Sequence, residues 1–576
     1  MHRGLQAGLV VLAVALGSGG AAAARVLDLE GLEYSSPSGA YLAGRYASKV
    51  HDVEYAAEFF ARALEDDPDN PVLIERAFLL DLSAGNFARA EDLAAQIAAT
   101  NPRHRIAQLV LGVKALREAR WGEARKFLAN TAYTPVGELS ASLLTAWSFA
   151  AEGNYAEAEK ALAVLDQSSS LANFRHFHLA LIADLLGRAG DVDRLYGQTY
   201  DAAGTSLRVI EAYGNYLERA GRGAEAVTVY RQFLDTTQRN PLVAASLAGA
   251  EKGIAPAPFV ADVAAGVGEV LFGIASALSD EQSIEISLVY ARLALSVRPD
   301  FPVAQMLLGE IYEDMKRYDS AVEAFKSLPA ASPLTPAAEL RIASDLDELG
   351  RTEEAIARLD TLVDRQPDNY DALYTRGNIL RGHERWLEAA DSYTRALKRI
   401  AMPGKQHWTV FYFRGIAHER DGQWPAAEAD LKKALELQPE QPAVLNYLGY
   451  SWIEKRLNLD EALAMVEKAV ELRPNDGYIV DSLGWAHFQI GNFEEAVRYL
   501  ERAVELRPED PTINDHLGDA YWRIGRRLEA KFQWAHARDS KPEPKDLTVI
   551  EKKLGDGLPD LLEIKPANNG KAPDRT

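Results

Sequence analysis

Apolar residues of fixed size return at fixed offsets along this chain. Leu483, Gly484, Ala496, Leu500 and Ala503 precede Pro508, and Leu517, Gly518, Ala530, Trp534 and Ala537 precede Pro542, each 34 residues later. Other prolines keep the same ruler: Pro68 and Pro102 stand 34 apart, Pro299 and Pro367 stand 68 apart, and Pro439 lies 35 before Pro474. A period of this length marks a helical repeat, whose units are too small to bury their own apolar faces and must stack on neighbours. Each unit is expected to be two antiparallel helices, with Gly484 or Gly518 on the first admitting the second where Ala496 or Ala530 faces it. Turns such as Gly491 to Ala496 (GNFEEA) end one helix on glycine and open the next on acidic residues, which suits a left-handed cap and the helix dipole. Proline then closes the unit, because it disfavours helical geometry in the preceding residue and lacks an amide.

These offsets are those of the tetratricopeptide repeat, and the chain resembles that family over most of its length. The resemblance implies an all-α, right-handed superhelical solenoid of about 12–14 helix-turn-helix units. Spacing places an N-terminal lobe at 37–240, central units at 268–403 and C-terminal units at 408–544. Repeats near 139–206 are degenerate, with Leu195 and Thr199 where alanine and a large apolar residue are expected. The segment 241–267, which contains GIAPAPFV, breaks the period and is expected to be a linker or irregular insertion dividing two lobes. In the last stretch, 545–576, Lys545 to Leu554 is expected to cap the exposed apolar end, with Glu563 to Thr576 disordered.

The first 24 residues follow a different pattern. His2 and Arg3 precede an apolar run from Leu5 to Leu16, and small residues lead to Ala22 and Ala24, as in a cleavable export signal with the mature chain starting near Arg25. The apolar run is about 12 residues against the roughly 20 of a bilayer span, so an uncleaved anchor fits less well, and no integral span is expected after cleavage. With zero cysteines, the chain has no lipobox Cys, disulfide, thiol nucleophile or Cys-ligated metal. The implied location is the periplasm.

The 576 residues carry 63 Lys and Arg against 84 Asp and Glu, a net charge of −21, so no domain-wide basic field is available for nucleic acid. Candidate chemistry is sparse. His176 and His178 point to different helix faces, His418 and His487 occupy repeat slots usually filled by aromatic rings, and none forms an HExxH pair. Gly266, Gly268 and Gly273 miss the dinucleotide spacing, and no phosphate loop or nucleophile elbow occurs in the mature chain. The expectation is a protein without catalytic residues, metal or cofactor.

In the tetratricopeptide family, positions five and nine of each first helix face the concave groove where partner segments lie. The resemblance therefore implies a groove lined by Tyr374 and Asn378, Tyr412 and Ile416, Asn446 and Tyr450, Asp481 and Trp485, and Asp515 and Asp519. Some of these could instead pack against the next unit. Rings supply contact area, amides can pair with a partner backbone, and the carboxylates favour a partner presenting Lys or Arg, or an uncharged segment. LNYLGYSW (Leu445 to Trp452), DSLGWAHFQIG (Asp481 to Gly491) and HLGDAYWRIG (His516 to Gly525) resemble exported bacterial adaptors of a periplasmic carboxyl-terminal processing protease. In those relatives an outer-membrane lipoprotein brings the protease together with cell-wall hydrolases. The absence of cysteine removes that anchor here. The resemblance implies an envelope scaffold or adaptor; the alternative is a structural assembly factor for an envelope or polysaccharide-export complex.

Overall fold

The computed structural model describes residues 36–559, except 168, 238–239 and 279–282. The expected signal at 1–24 and the tail from Glu563 to Thr576 lie outside the described residues. Within them the chain is all α, with thirty α-helices and no strand. Twenty-eight pair into fourteen antiparallel hairpins, from Pro37–Lys49 with Val53–Asp66 to Pro511–Arg523 with Arg527–Asp539.

Local sequence sets the helix ends. The Asn70 side chain accepts the amides of Val72 at 3.0 Å and Leu73 at 3.3 Å, and Pro71 supplies a first helical residue with no amide to satisfy. Asp510 does the same for Thr512 and Ile513 before Pro511. Gly85 closes the Pro71–Ala84 helix at φ +86°, a conformation that favours glycine.

Hairpins close by laying a large side chain over bare backbone. A Cβ on Gly484 would stand 2.6 Å from Leu500 Cγ, and one on Gly518 would stand 2.5 Å from the Trp534 ring. The glycine's partner is therefore the large residue one turn beyond Ala496 or Ala530, and the fully buried alanines let the second helix come close. Gly309 with Phe325 and Gly377 with Tyr393 repeat the contact at the same offset of 16 residues.

Three hairpins begin earlier than the period predicts, at Pro135, Ser169 and Val263, because the helices Pro135–Ala151 and Ser169–Leu185 have 17 residues each and Val263–Ala277 has 15. The segment 241–267 is also more ordered than its prolines suggest. Asn240 caps a further helix, Pro241–Glu251, and an extended stretch then leads to Asp262, which caps Val263–Ala277. Contacts divide the chain into two compact units at Leu362 and Val363, so 241–267 lies inside the first unit instead of separating lobes. A single helix, Pro544–Asp556, covers the last hairpin of the second unit through Ile550 and Leu554, and Leu558 just beyond it adds to the contact. Among the described residues, no helix is long and apolar enough to cross a membrane.

Candidate partner-binding surface

In the first unit the chain fills its own groove side. In the first helices Arg105–Arg117 and Pro135–Ala151, positions five and nine are apolar, Leu109 with Val113 and Leu139 with Leu143, and all four are buried. The helices Val263–Ala277 and Ile284–Val297 pack against the first helices Pro71–Ala84, Arg105–Arg117, Pro135–Ala151 and Ser169–Leu185. Gly266 sits against the fully buried Trp147, where any Cβ would collide with the ring. Ser140 Oγ and the Tyr290 hydroxyl lie 2.7 Å apart, and Arg292 Nε donates to the Ser83 carbonyl at 3.0 Å. Arg208 Nε donates to the buried Glu269 at 3.1 Å and its Nη1 to Glu211 at 2.6 Å, so the carboxylates are neutralised where water is scarce. An open cavity of about 600 Å³ lies near Arg292 and Arg317, and Arg317 donates to the His51 carbonyl at 3.0 Å and pairs with Asp52 at 2.9 Å.

The extended stretch of the first unit shows how a groove side chain holds backbone. Asn215, at the ninth position of Leu207–Arg219, donates from Nδ2 to the Ala257 carbonyl at 2.8 Å and accepts the Phe259 amide on Oδ1 at 3.1 Å. The Arg208 guanidinium lies 4.4 Å from the Phe259 ring centroid. One amide thus brackets two peptide groups of an extended, proline-containing segment. Position nine of each first helix was the signal that could have identified Asn215 in the sequence.

The second unit presents a different row. Tyr374 stacks on Tyr370 with centroids 5.8 Å apart and tilts against Phe413 at 6.4 Å. Tyr412 contacts Phe413 at 5.3 Å and meets Tyr447 edge-on at 6.0 Å, and the Arg381 guanidinium covers Phe413 at 4.4 Å. Tyr374, Tyr412, Ile416 and Tyr450 remain half-buried. Burial pushes the phenol pKa values of Tyr412 and Tyr450 up, so both stay neutral hydrogen-bonding groups. Asn378 is half-buried and accepts the Tyr393 hydroxyl at 2.8 Å, whereas the buried Oδ1 of Asn446 has no hydrogen-bond partner.

Four expected groove residues are engaged by their own chain, the packing alternative noted for these positions. Asp481 is buried and lies 3.0 Å from His516 Nδ1. Trp485 is stacked between His516 at 4.0 Å and Phe488 at 4.7 Å, and donates to Glu454 at 2.7 Å. Lys553 donates to Asp515 at 2.7 Å and Asp519 at 2.8 Å, while Trp534 Nε1 donates to Asp519 at 2.9 Å. Burial pushes the Asp519 carboxyl up; Lys553 opposes that and Asp515 adds to it. Phe413, Tyr447 and His516 are each the sixth residue of a first helix and reach back to the preceding unit. That neighbour contact is invisible to counting positions five and nine.

The histidines are packing groups. His178 is fully buried, accepts Trp147 Nε1 at 3.2 Å, and has its pKa pulled down to about 3 by burial. His487 stacks on Tyr499 at 5.4 Å, and neither its Nδ1 nor that of His418 has a hydrogen-bond partner. Among the described residues, no three His, Asp or Glu side chains form a group that could hold a metal.

A family model described as Tetratricopeptide repeat matches residues 76–135, 340–404 and 413–477, a second matches 303–328, and one described as TPR repeat matches 484–525. A TPR repeat-containing protein of Pseudomonas aeruginosa is 28% identical over 189 residues, covering 33% of this chain and 31% of that protein. A Homo sapiens protein O-mannosyl-transferase is 26% identical over 188 residues, covering 30% of this chain and 20% of that protein. The chain therefore spans less than a third of the length of these curated relatives. A chain in the crystal structure of the APC/C hetero-tetramer Cut9–Hcn1 is 15% identical, with 91% of this chain and 97% of that chain covered at a TM-score of 0.37. Tetratricopeptide repeats are thus recognised in the matched stretches, within a chain that folds as fourteen helical hairpins.

Proposed function

We propose that this chain is a non-enzymatic scaffold whose second unit holds an extended segment of a partner protein across Tyr374, Asn378, Tyr412, Asn446 and Tyr450. The bracket formed by Asn215 around Ala257 and Phe259 carries this reading. Asn378 occupies the same ninth position as Asn215, and Asn446, at the fifth position of Pro442–Glu454, has a carbonyl oxygen without a partner. A partner backbone would pair with these side-chain amides, and the surrounding rings would bury its side chains. The first unit contributes rigidity, since its own helices occupy the equivalent faces.

In this reading the chain is exported, works in the bacterial periplasm, and raises the local concentration of a processing protease and its cell-wall hydrolase substrates by binding both. The signal-like segment at 1–24 and the motifs at 445–452, 481–491 and 516–525 support it. The test is crosslinked capture from an envelope fraction with the full chain, native or carrying Asn378→Ala with Asn446→Ala. Enrichment of a protease or hydrolase on the native chain and its loss on the variant is the expected result. Enrichment of export-complex subunits would replace the adaptor role with assembly. Equal capture by both chains would overturn the groove reading.

A further inference from the structure

The helix Pro544–Asp556 is bound unlike any repeat helix of the second unit. Of its 13 residues only Ile550 is buried, whereas the Pro511–Arg523 helix beneath it buries eight. Leu554 and Leu558 add partial contacts, and Val549 is left 51% exposed. Its charged anchor is Lys553, which bridges Asp515 and Asp519 at the two groove positions of the last repeat. After the helix, the Leu558 carbonyl accepts Trp522 Nε1 at 3.2 Å and the Pro559 carbonyl accepts Arg523 Nη1 at 2.7 Å. Asp515 still has a buried oxygen, Oδ1, without a hydrogen-bond partner.

We propose that this helix is a displaceable internal occupant of a docking surface for a partner's amphipathic helix that presents a lysine to Asp515 and Asp519. Two observations carry this together. The surface already recognises such a helix, with an apolar strip for Ile550 and Leu554 beside a carboxylate pair that receives an ammonium. The occupant is thinly anchored, and an element with few buried contacts opens at lower free energy than the core around it. Removing it exposes one end of the solenoid without unpacking the Gly518–Trp534 closure, which lies within the hairpin. The proposal rests on the scaffold reading for the existence of a partner and adds a second surface, distinct from the aromatic row.

The probe is a labelled peptide of residues 541–559, added to the full chain in its native form and to the full chain with Lys553→Gln. The expected result is binding at least about tenfold tighter to the Lys553→Gln chain, whose internal helix has lost its charge-assisted anchor and competes poorly. A peptide carrying Lys553→Gln should lose that gain. Adding Asp515→Asn and Asp519→Asn to the chain should remove it as well. Equal affinity for both chains, no binding to either, or indifference to the peptide lysine would each overturn the proposal. Hydrogen exchange gives a second readout that needs no variant: amides of 544–556 should exchange faster than those of 511–523 in the native chain, and equal protection would overturn displaceability. Asn378→Ala with Asn446→Ala should leave peptide binding unchanged, so failure of the aromatic groove and failure of this surface are separable.

Discussion

The two units use one repeat for opposite ends. In the first, apolar residues at the groove positions, such as Leu109, Val113, Leu139 and Leu143, are covered by the chain's own helices at 263–277 and 284–297. In the second, Tyr374, Asn378, Tyr412, Asn446 and Tyr450 stay half-buried, while at the C-terminal end His516 and Lys553 engage the acidic positions. At these helices the difference lies in what occupies the two groove positions. Apolar groove positions demand cover from the same chain, while aromatic and amide positions tolerate partial exposure and leave bonding capacity for a partner.

The largest way to break this contrast is Trp147→Ala. Trp147 is fully buried under Gly266 and bonded to His178, so its removal should cost about 3–5 kcal/mol. Denaturant unfolding followed by hydrogen exchange should show the loss in the first unit, with the second unit's protection unchanged. Next comes Arg208→Ala, which leaves Glu269 buried without its main cation and should cost about 3 kcal/mol, measured the same way. Arg208→Lys should recover part of that, but not the contact with Phe259.

A smaller effect contrasts two buried histidines. Burial holds the folded His178 pKa far below the ordinary value, at about 3, so its contribution is present above about pH 6.5 and is lost as pH falls. At His516 burial also pulls the pKa down, but Asp481 at 3.0 Å, with Asp519 and Asp515 beyond, raises it overall. Its contribution is therefore full below about pH 6.5 and lost as pH rises through the raised folded value. Comparing native with His178→Gln and with His516→Gln between about pH 5 and 8 should give stability differences of opposite slope. Equal slopes would erase the distinction. The smallest expected effect is Asn446→Ala, which removes an oxygen with no partner and should change stability by under about 0.5 kcal/mol while reducing partner capture. A large melting shift would mean that Asn446 braces the repeats.

Much of the fold was legible because helical hairpins are local. The cap at Asn70, the stop at each proline and the glycine that admits Leu500 or Trp534 all act within a few tens of residues, and the 34-residue period repeats them. The candidate site was legible in part. Counting to positions five and nine found Tyr374 and Asn446, yet the same count gave Asp481, Trp485, Asp515 and Asp519 no partners, although His516 and Lys553 hold them. The prolines at 256 and 258 read as a break, whereas Asn215 turns that stretch into an internal ligand.

The sequence by itself therefore determined the repeat, the hairpin closures, the acidic character and the absence of cysteine chemistry. Those follow from short-range sterics and composition, which need no knowledge of distant residues. Only the tertiary structure decided which groove positions remain available, because that depends on contacts such as Ser140 with Tyr290, 150 residues away in the chain. A linear period cannot encode which face a later helix will cover.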